Sequence, residues 1–184
     1  MTPANALTVS RLFLALVYFV ALLVLPEGPA MFAPLALLVV AGLTDVLDGI
    51  VARRTGSITE FGRVADAYID RVLAVGSYVI FLSWGLVDAW VVLVIVVREF
   101  VVGGMRNLAD ARGLKFQANI FGKTKFLSQM LACIAVVTYR AAFTGSPPAL
   151  LAMDVIVYIS AVNTAVSGLV YLANYRKLVG VEKT

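Results

Sequence analysis

The chain contains no histidine and a single cysteine, Cys133. Without imidazole there is no histidine base and no histidine-held metal, and one thiol excludes an internal disulfide. Charge is scarce as well. Asp, Glu, Lys and Arg make up 14% of the 184 residues, whereas 61% are hydrophobic and the mean hydropathy is +0.95. That balance excludes an ordinary soluble domain of this length and indicates an integral membrane protein. The few carboxylates must then carry any acid–base or metal chemistry, and all-oxygen ligation favours hard ions such as Mg²⁺, Mn²⁺ or Ca²⁺. No nucleic-acid-binding motif is present, so the net charge of +4 is assigned to topology and anionic headgroups, with no nucleic-acid partner.

What the chain does have is long apolar runs. Bounded by charge, Pro or Gly, they predict six spans, roughly 6–25, 31–52, 62–85, 87–109, 118–139 and 150–174, each near the 20 residues a helix needs to cross ~30 Å of hydrocarbon. The first run is itself of spanning length and others follow it, unlike a cleaved leader. An even number of spans puts both termini on one side. The connections on the other side hold one basic residue, Arg140, while the terminal side holds Arg53, Arg54, Arg63, Arg106, Arg112, Lys115, Lys123, Lys125, Arg176, Lys177 and Lys183. The positive-inside rule makes that side cytoplasmic. The expectation is an all-α polytopic membrane protein in the plasma or inner membrane, residues 1–184 forming one domain.

Four aspartates are out of place in such a chain. Asp45, Asp48, Asp66 and Asp70 fall within 26 residues, although one carboxylate in a membrane helix costs about 3 kcal/mol on insertion scales. Spacings of three and four put each pair on one helix face. A short connection makes spans two and three antiparallel neighbours, so the pairs form a four-carboxylate cup open to the cytoplasm. Four adjacent anions repel, and one or two divalent cations relieve the conflict. Gly49 and Gly62 let a ligand or a neighbouring backbone approach closely. Arg53 returns to nearly the face of Asp45, where a guanidinium can grip a phosphate bidentately.

Asp45, Asp48, Gly49, Ala52, Arg53, Gly62, Asp66 and Asp70 spell D-x2-D-G-x2-A-R-x8-G-x3-D-x3-D without deviation, and this string resembles the signature of the CDP-alcohol phosphotransferases. The resemblance implies a six-helix membrane enzyme, usually homodimeric, that moves a phosphatidyl group from CDP-diacylglycerol to an alcohol and releases CMP. It further implies that the first three aspartates hold the metals, that Asp70 is the base beside them, that Gly49, Arg53 and Thr59 meet the nucleotide end of the donor, and that Asn5 and Thr8 lie at its rim. Within the family the chain looks most like phosphatidylglycerophosphate synthases, through Asn5-Ala-Leu-Thr8-x2-Arg11, Arg98-Glu99-Phe100 with Gly104-Met105-Arg106, and Gly122-Lys123-Thr124-Lys125. A glycerol 3-phosphate acceptor needs a cationic pocket, for which Arg106, Lys123 and Lys125 are candidates. The Asp70-Arg71 pair is more like the branch that uses an inositol phosphate, which stands as the alternative acceptor.

Other residues invite plainer readings. Arg98 and Glu99 are adjacent, so they are expected to point to different helix sides and anchor separate neighbours. Gly103 and Gly104 suit close helix packing, Trp84 and Trp90 an outer interface belt, Cys133 a small apolar core position, and the last span is generic. The rival from another class is a divalent-cation transporter, whose conduction path would need polar residues at several depths. The aspartates here cluster at one end of their helices.

Overall fold

The computed structural model describes residues 3–55, 60–113 and 120–181, with side chains described over 10–44, 68–113, 122 and 124–177. Its elements are helices: α1 Pro3–Val24, α2 Phe32–Thr55, α3 Glu60–Ser83, α4 Ala89–Ala111, α5 Ile120–Thr138 and α6 Pro147–Val181. Among the described residues there is no strand. The six helices fall on the six apolar runs to within a few residues, because the runs are broken by Pro, Gly and charge where helices stop. A 3-10 turn at Pro29–Met31 leads into α2, and a π-helical turn at Tyr139–Phe143 ends α5.

Tight connections are made by glycine where the chain must turn with positive φ. Gly85, at φ 71°, lets α3 reverse into α4, with its amide returning to the Leu82 carbonyl. Gly113, at φ 70°, closes α4 with its amide on Asp110. Both are positions where a side chain would be strained.

The helices pack around a core in which α1 meets α2 and α3, α5 meets α2, α3 and α6, and α4 meets α3 and α6. Tyr18, Leu22, Leu38, Phe81, Ile95 and Val136 are fully enclosed. Hydrogen bonds cross this interior, and two sets of them tie α3 to its neighbours. The Ser77 hydroxyl donates to the Leu73 carbonyl at 2.6 Å and so accepts from Tyr18 at 3.1 Å, while Tyr78 and Ser160 pair at 3.1 Å. Away from water such groups must find partners, and here they join α1 to α3 and α3 to α6. Cys133 is buried, as its apolar reading requires.

Among the described residues two helical stretches, Thr124–Phe143 and Pro147–Lys177, are long and apolar enough to cross a membrane. Helix α4, with 23 residues, has the length, but Arg98, Glu99 and Arg106 interrupt its apolar run. Outward faces are strongly apolar: Phe13, Leu23, Phe100, Leu151 and Leu169 are all exposed. A surface of this kind is suited to lipid rather than water.

Candidate active site

The aspartate-bearing stretches occupy the last three turns of α2 and the first three of α3. Asp45, Asp48, Gly49 and Arg53 precede the end of α2 at Thr55, and Gly62, Asp66 and Asp70 follow the start of α3 at Glu60. Five peptide links join Thr55 to Glu60, so those two ends lie within about 18 Å of each other. The connection thus holds both carboxylate pairs at one end of the bundle. The side chains of Asp45, Asp48, Gly49, Arg53, Gly62, Asp66, Asn5, Thr8 and Lys123, and Thr59 altogether, lie outside the described residues. Among the described residues no group of three acidic or sulfur ligands is found, and of the four aspartates only Asp70 is among them.

Asp70 is half-buried and lines a cavity of about 20 Å³ whose other walls include Ser77, Phe126, Gln129 and Cys133. Gln129 is buried; its amide nitrogen donates to Thr164 at 3.2 Å and its oxygen has no hydrogen-bond partner among the described residues. On another side, the charge of Asp70 reaches the Lys125 ammonium.

Lys125 belongs to a buried layer of charge built on Glu99, which is only 4% exposed. Lys125 pairs directly with Glu99 Oε1, Arg98 Nη1 donates to the same oxygen at 3.1 Å, and Arg71 Nε approaches Oε2 at 3.9 Å. One carboxylate from α4 therefore gathers cations from α3, α4 and α5. The layer continues into α6, where Arg98 Nη2 donates to Ser167 at 2.8 Å and Arg106 Nη2 donates to the Tyr171 hydroxyl at 2.7 Å. The Arg98 and Arg106 guanidiniums lie 5.6 and 5.2 Å from the Tyr171 ring centroid, within cation–π reach.

Two sequence expectations are refined here. Arg98 and Glu99 do anchor separate neighbours, Ser167 of α6 and Lys125 of α5, but the long arginine side chain also curls back to Glu99, so both belong to one layer. Gly103 admits no neighbouring backbone. A Cβ there would come within 2.6 Å of Arg71 Nη1, so the missing side chain makes room for a guanidinium. Gly122 and Gly168 act similarly, toward the Tyr171 hydroxyl at 2.8 Å and the Arg98 Cγ at 3.1 Å. Of the acceptor candidates, Arg106 and Lys125 join this layer.

Among the described side chains this region holds four cations, Arg71, Arg98, Arg106 and Lys125, and two carboxylates, Glu99 and Asp70, the second acting on Lys125. Buried charge is costly unless paired, so an excess of cations favours the approach of an anion. A match to the CDP-alcohol phosphatidyltransferase family model over residues 1–170 supplies the chemical context. The chain belongs to that family. As a CDP-alcohol phosphatidyltransferase it is similar to the CDP-diacylglycerol–glycerol-3-phosphate 3-phosphatidyltransferase of Bacillus subtilis (strain 168), with 34% identity over 129 residues, covering 69% of this chain and 67% of the relative. The proteins of that name from Rickettsia bellii (strain RML369-C) and Haemophilus influenzae (strain ATCC 51907) are 28% and 30% identical, the first covering 77% of each chain and the second 68% and 70%.

Sequence reading missed the α6 half of this phosphatidyltransferase's charged layer. The signal is there: Ser160, Thr164, Ser167 and Tyr171 recur at intervals of four, three and four, a polar stripe down one face of an otherwise apolar helix. All four are buried.

Proposed function

We propose that the chain catalyses metal-dependent transfer of a phosphatidyl group from CDP-diacylglycerol to glycerol 3-phosphate, giving phosphatidylglycerol phosphate and CMP. The observation that carries the acceptor assignment is the cluster of Arg98, Arg106 and Lys125 around Glu99 and Tyr171, with the Asp70 charge also acting on Lys125. A neutral alcohol would leave that excess of cations unanswered, and a phosphorylated one meets it. The activity for which the bacterial relatives are named points to the same acceptor. Arg71, whose analogue suggested an inositol phosphate acceptor, is engaged by Glu99 and lies 5.2 Å from the Tyr68 ring centroid, so packing accounts for its presence.

The donor set is Asp45, Asp48, Asp66 and Asp70, all hard oxygen ligands, which suits Mg²⁺ or Mn²⁺ in a two-ion site. When bound, the ions supply neutralisation of the pyrophosphate charge as CMP departs. Gly49, Gly62, Arg53 and Thr59 hold the nucleotide end of the donor, with Asn5 and Thr8 at the rim. Arg106, Lys123 and Lys125 fix the acceptor phosphate and so bring its free hydroxyl in line with the phosphatidyl phosphorus. The hydroxyl oxygen forms the new P–O bond, its proton passes to the Asp70 carboxylate, and the bond to CMP breaks. In this reading the bundle crosses the bilayer six times as one domain, both termini and the site face the cytoplasm, and the enzyme is a homodimer in the plasma or inner membrane. The donor's acyl chains stay in lipid beside the exposed apolar faces.

The test is to incubate the purified full chain in detergent with CDP-diacylglycerol and Mg²⁺, offering glycerol 3-phosphate, an inositol phosphate and glycerol in parallel while measuring CMP. Glycerol 3-phosphate should support the highest turnover and glycerol almost none. Preference for the inositol phosphate would reassign the acceptor, and no CMP with any alcohol would remove the enzyme reading.

A further inference from the structure

Arg106 is a long side chain near the end of α4, and a free arginine would sample many rotamers at an entropic cost to binding. Instead it is held at two points by one residue. The Tyr171 hydroxyl accepts from Nη2 at 2.7 Å, and the guanidinium carbon stands 5.2 Å from the ring centroid. Tyr171 is itself 1% exposed and lies one residue beyond the stretch matching the family. Its hydroxyl fits because residue 122 is glycine, where a Cβ would come within 2.8 Å of it. The ring also lies within reach of Arg98, which Ser167 restrains at 2.8 Å. Two guanidiniums around one phenol repel each other, and they stay because each has a fixed hydrogen bond. An arriving dianion relieves that repulsion and finds both cations already oriented.

We propose that Tyr171 is a positioning residue that pre-orients Arg106 for the acceptor's phosphate, with Gly122 providing the space for its hydroxyl. This rests on the reading of Arg106 as an acceptor contact. Tyr171 need not touch substrate, because it acts through the guanidinium. Removing the hydroxyl alone leaves the ring, its burial and its cation–π contacts in place, so the fold should be retained.

The experiment uses the full-length protein in detergent with Mg²⁺, varying glycerol 3-phosphate and CDP-diacylglycerol separately and measuring CMP. Tyr171→Phe should raise the glycerol 3-phosphate KM roughly tenfold while donor KM and kcat stay within about twofold. Gly122→Ala should raise the same KM by a smaller factor, and should add nothing in the Tyr171→Phe background, because the atom its methyl group would strike is gone. Arg106→Ala should raise the acceptor KM at least as far as Tyr171→Phe. An unchanged acceptor KM in Tyr171→Phe alongside a raised one in Arg106→Ala would overturn the positioning role and leave the proposed function standing. An unchanged acceptor KM in Arg106→Ala would overturn both the contact and the inference. Equal rises in donor and acceptor KM in Tyr171→Phe would reduce Tyr171 to a packing residue.

Discussion

Glu99 and Glu27 are both paired with arginine, one midway along α4 and the other in the connection after α1, in different ways. Glu99 is buried among three cations and touches two of them through a single oxygen. The Glu27 side chain is 59% exposed and reaches Arg140 only at 4.0 Å. Arg140 is secured instead by the Trp84 ring, 4.1 Å from its guanidinium carbon, and through its carbonyl, which accepts from the Gly28 amide at 2.9 Å. The difference lies in what each pair is for. An exposed pair contributes little and costs little. A buried one carries a desolvation penalty that a purely structural helix contact could avoid with apolar side chains. The inner layer is consistent with the proposed role toward a ligand, and the outer pair is a modest fastening of a turn.

The sharpest way to divide the two regions is to disable chemistry without touching the exposed pair. Chelating the divalent ion, or replacing Asp70 with Asn, should lower CMP release by at least about a hundredfold, a loss of the size expected for a positioned base or a metal. Asp70→Asn should retain much of the nucleotide-lipid binding; normal turnover in that variant would end the role of Asp70. Next in size is Glu99→Gln, which leaves buried cations uncompensated. It should destabilise the protein by roughly 3–5 kcal/mol, seen as a lower melting temperature in detergent, and a variant as stable as the parent would mean that the layer is solvated. Smallest is Glu27→Gln, expected to change stability by less than about 1 kcal/mol and to leave turnover intact. If Glu27→Gln proved as damaging as Glu99→Gln, the contrast between the two pairs would collapse.

Much of the architecture was legible because apolar run length and helix length are the same physical quantity in a bundle of this kind. The second run, read as 31–52, becomes α2 at Phe32–Thr55, and the fourth, 87–109, becomes α4 at Ala89–Ala111. The end of the fifth was less legible. The π-helical turn at Tyr139–Phe143 prolongs α5 past Thr138 into what looked like a loop, and no residue type announces an extra backbone step. At the site, fixed spacing exposed the aspartates and the cationic candidates Arg106 and Lys125. The bond between Arg98 and Glu99 was not foreseen because adjacency in a helix fixes where Cβ points and leaves a long side chain free to double back. Tyr171 was missed because a tyrosine in an apolar helix looks like filler until its hydroxyl's partner, 65 positions away, is known.

The vacancies at Gly103, Gly122 and Gly168 have a mechanical consequence. In many membrane seams small residues let two backbones slide together until they touch. Here the space is occupied by a guanidinium, a phenol and an arginine stem, so α3, α4, α5 and α6 are held apart by the very groups that set the local potential. Tightening the bundle would expel a cation, and neutralising a cation would let the bundle tighten. Helix spacing and electrostatic field are thus linked in this protein: a methyl group added at Gly103 would press directly on a guanidinium, and one at Gly122 or Gly168 would reach a cation through the phenol or the arginine stem.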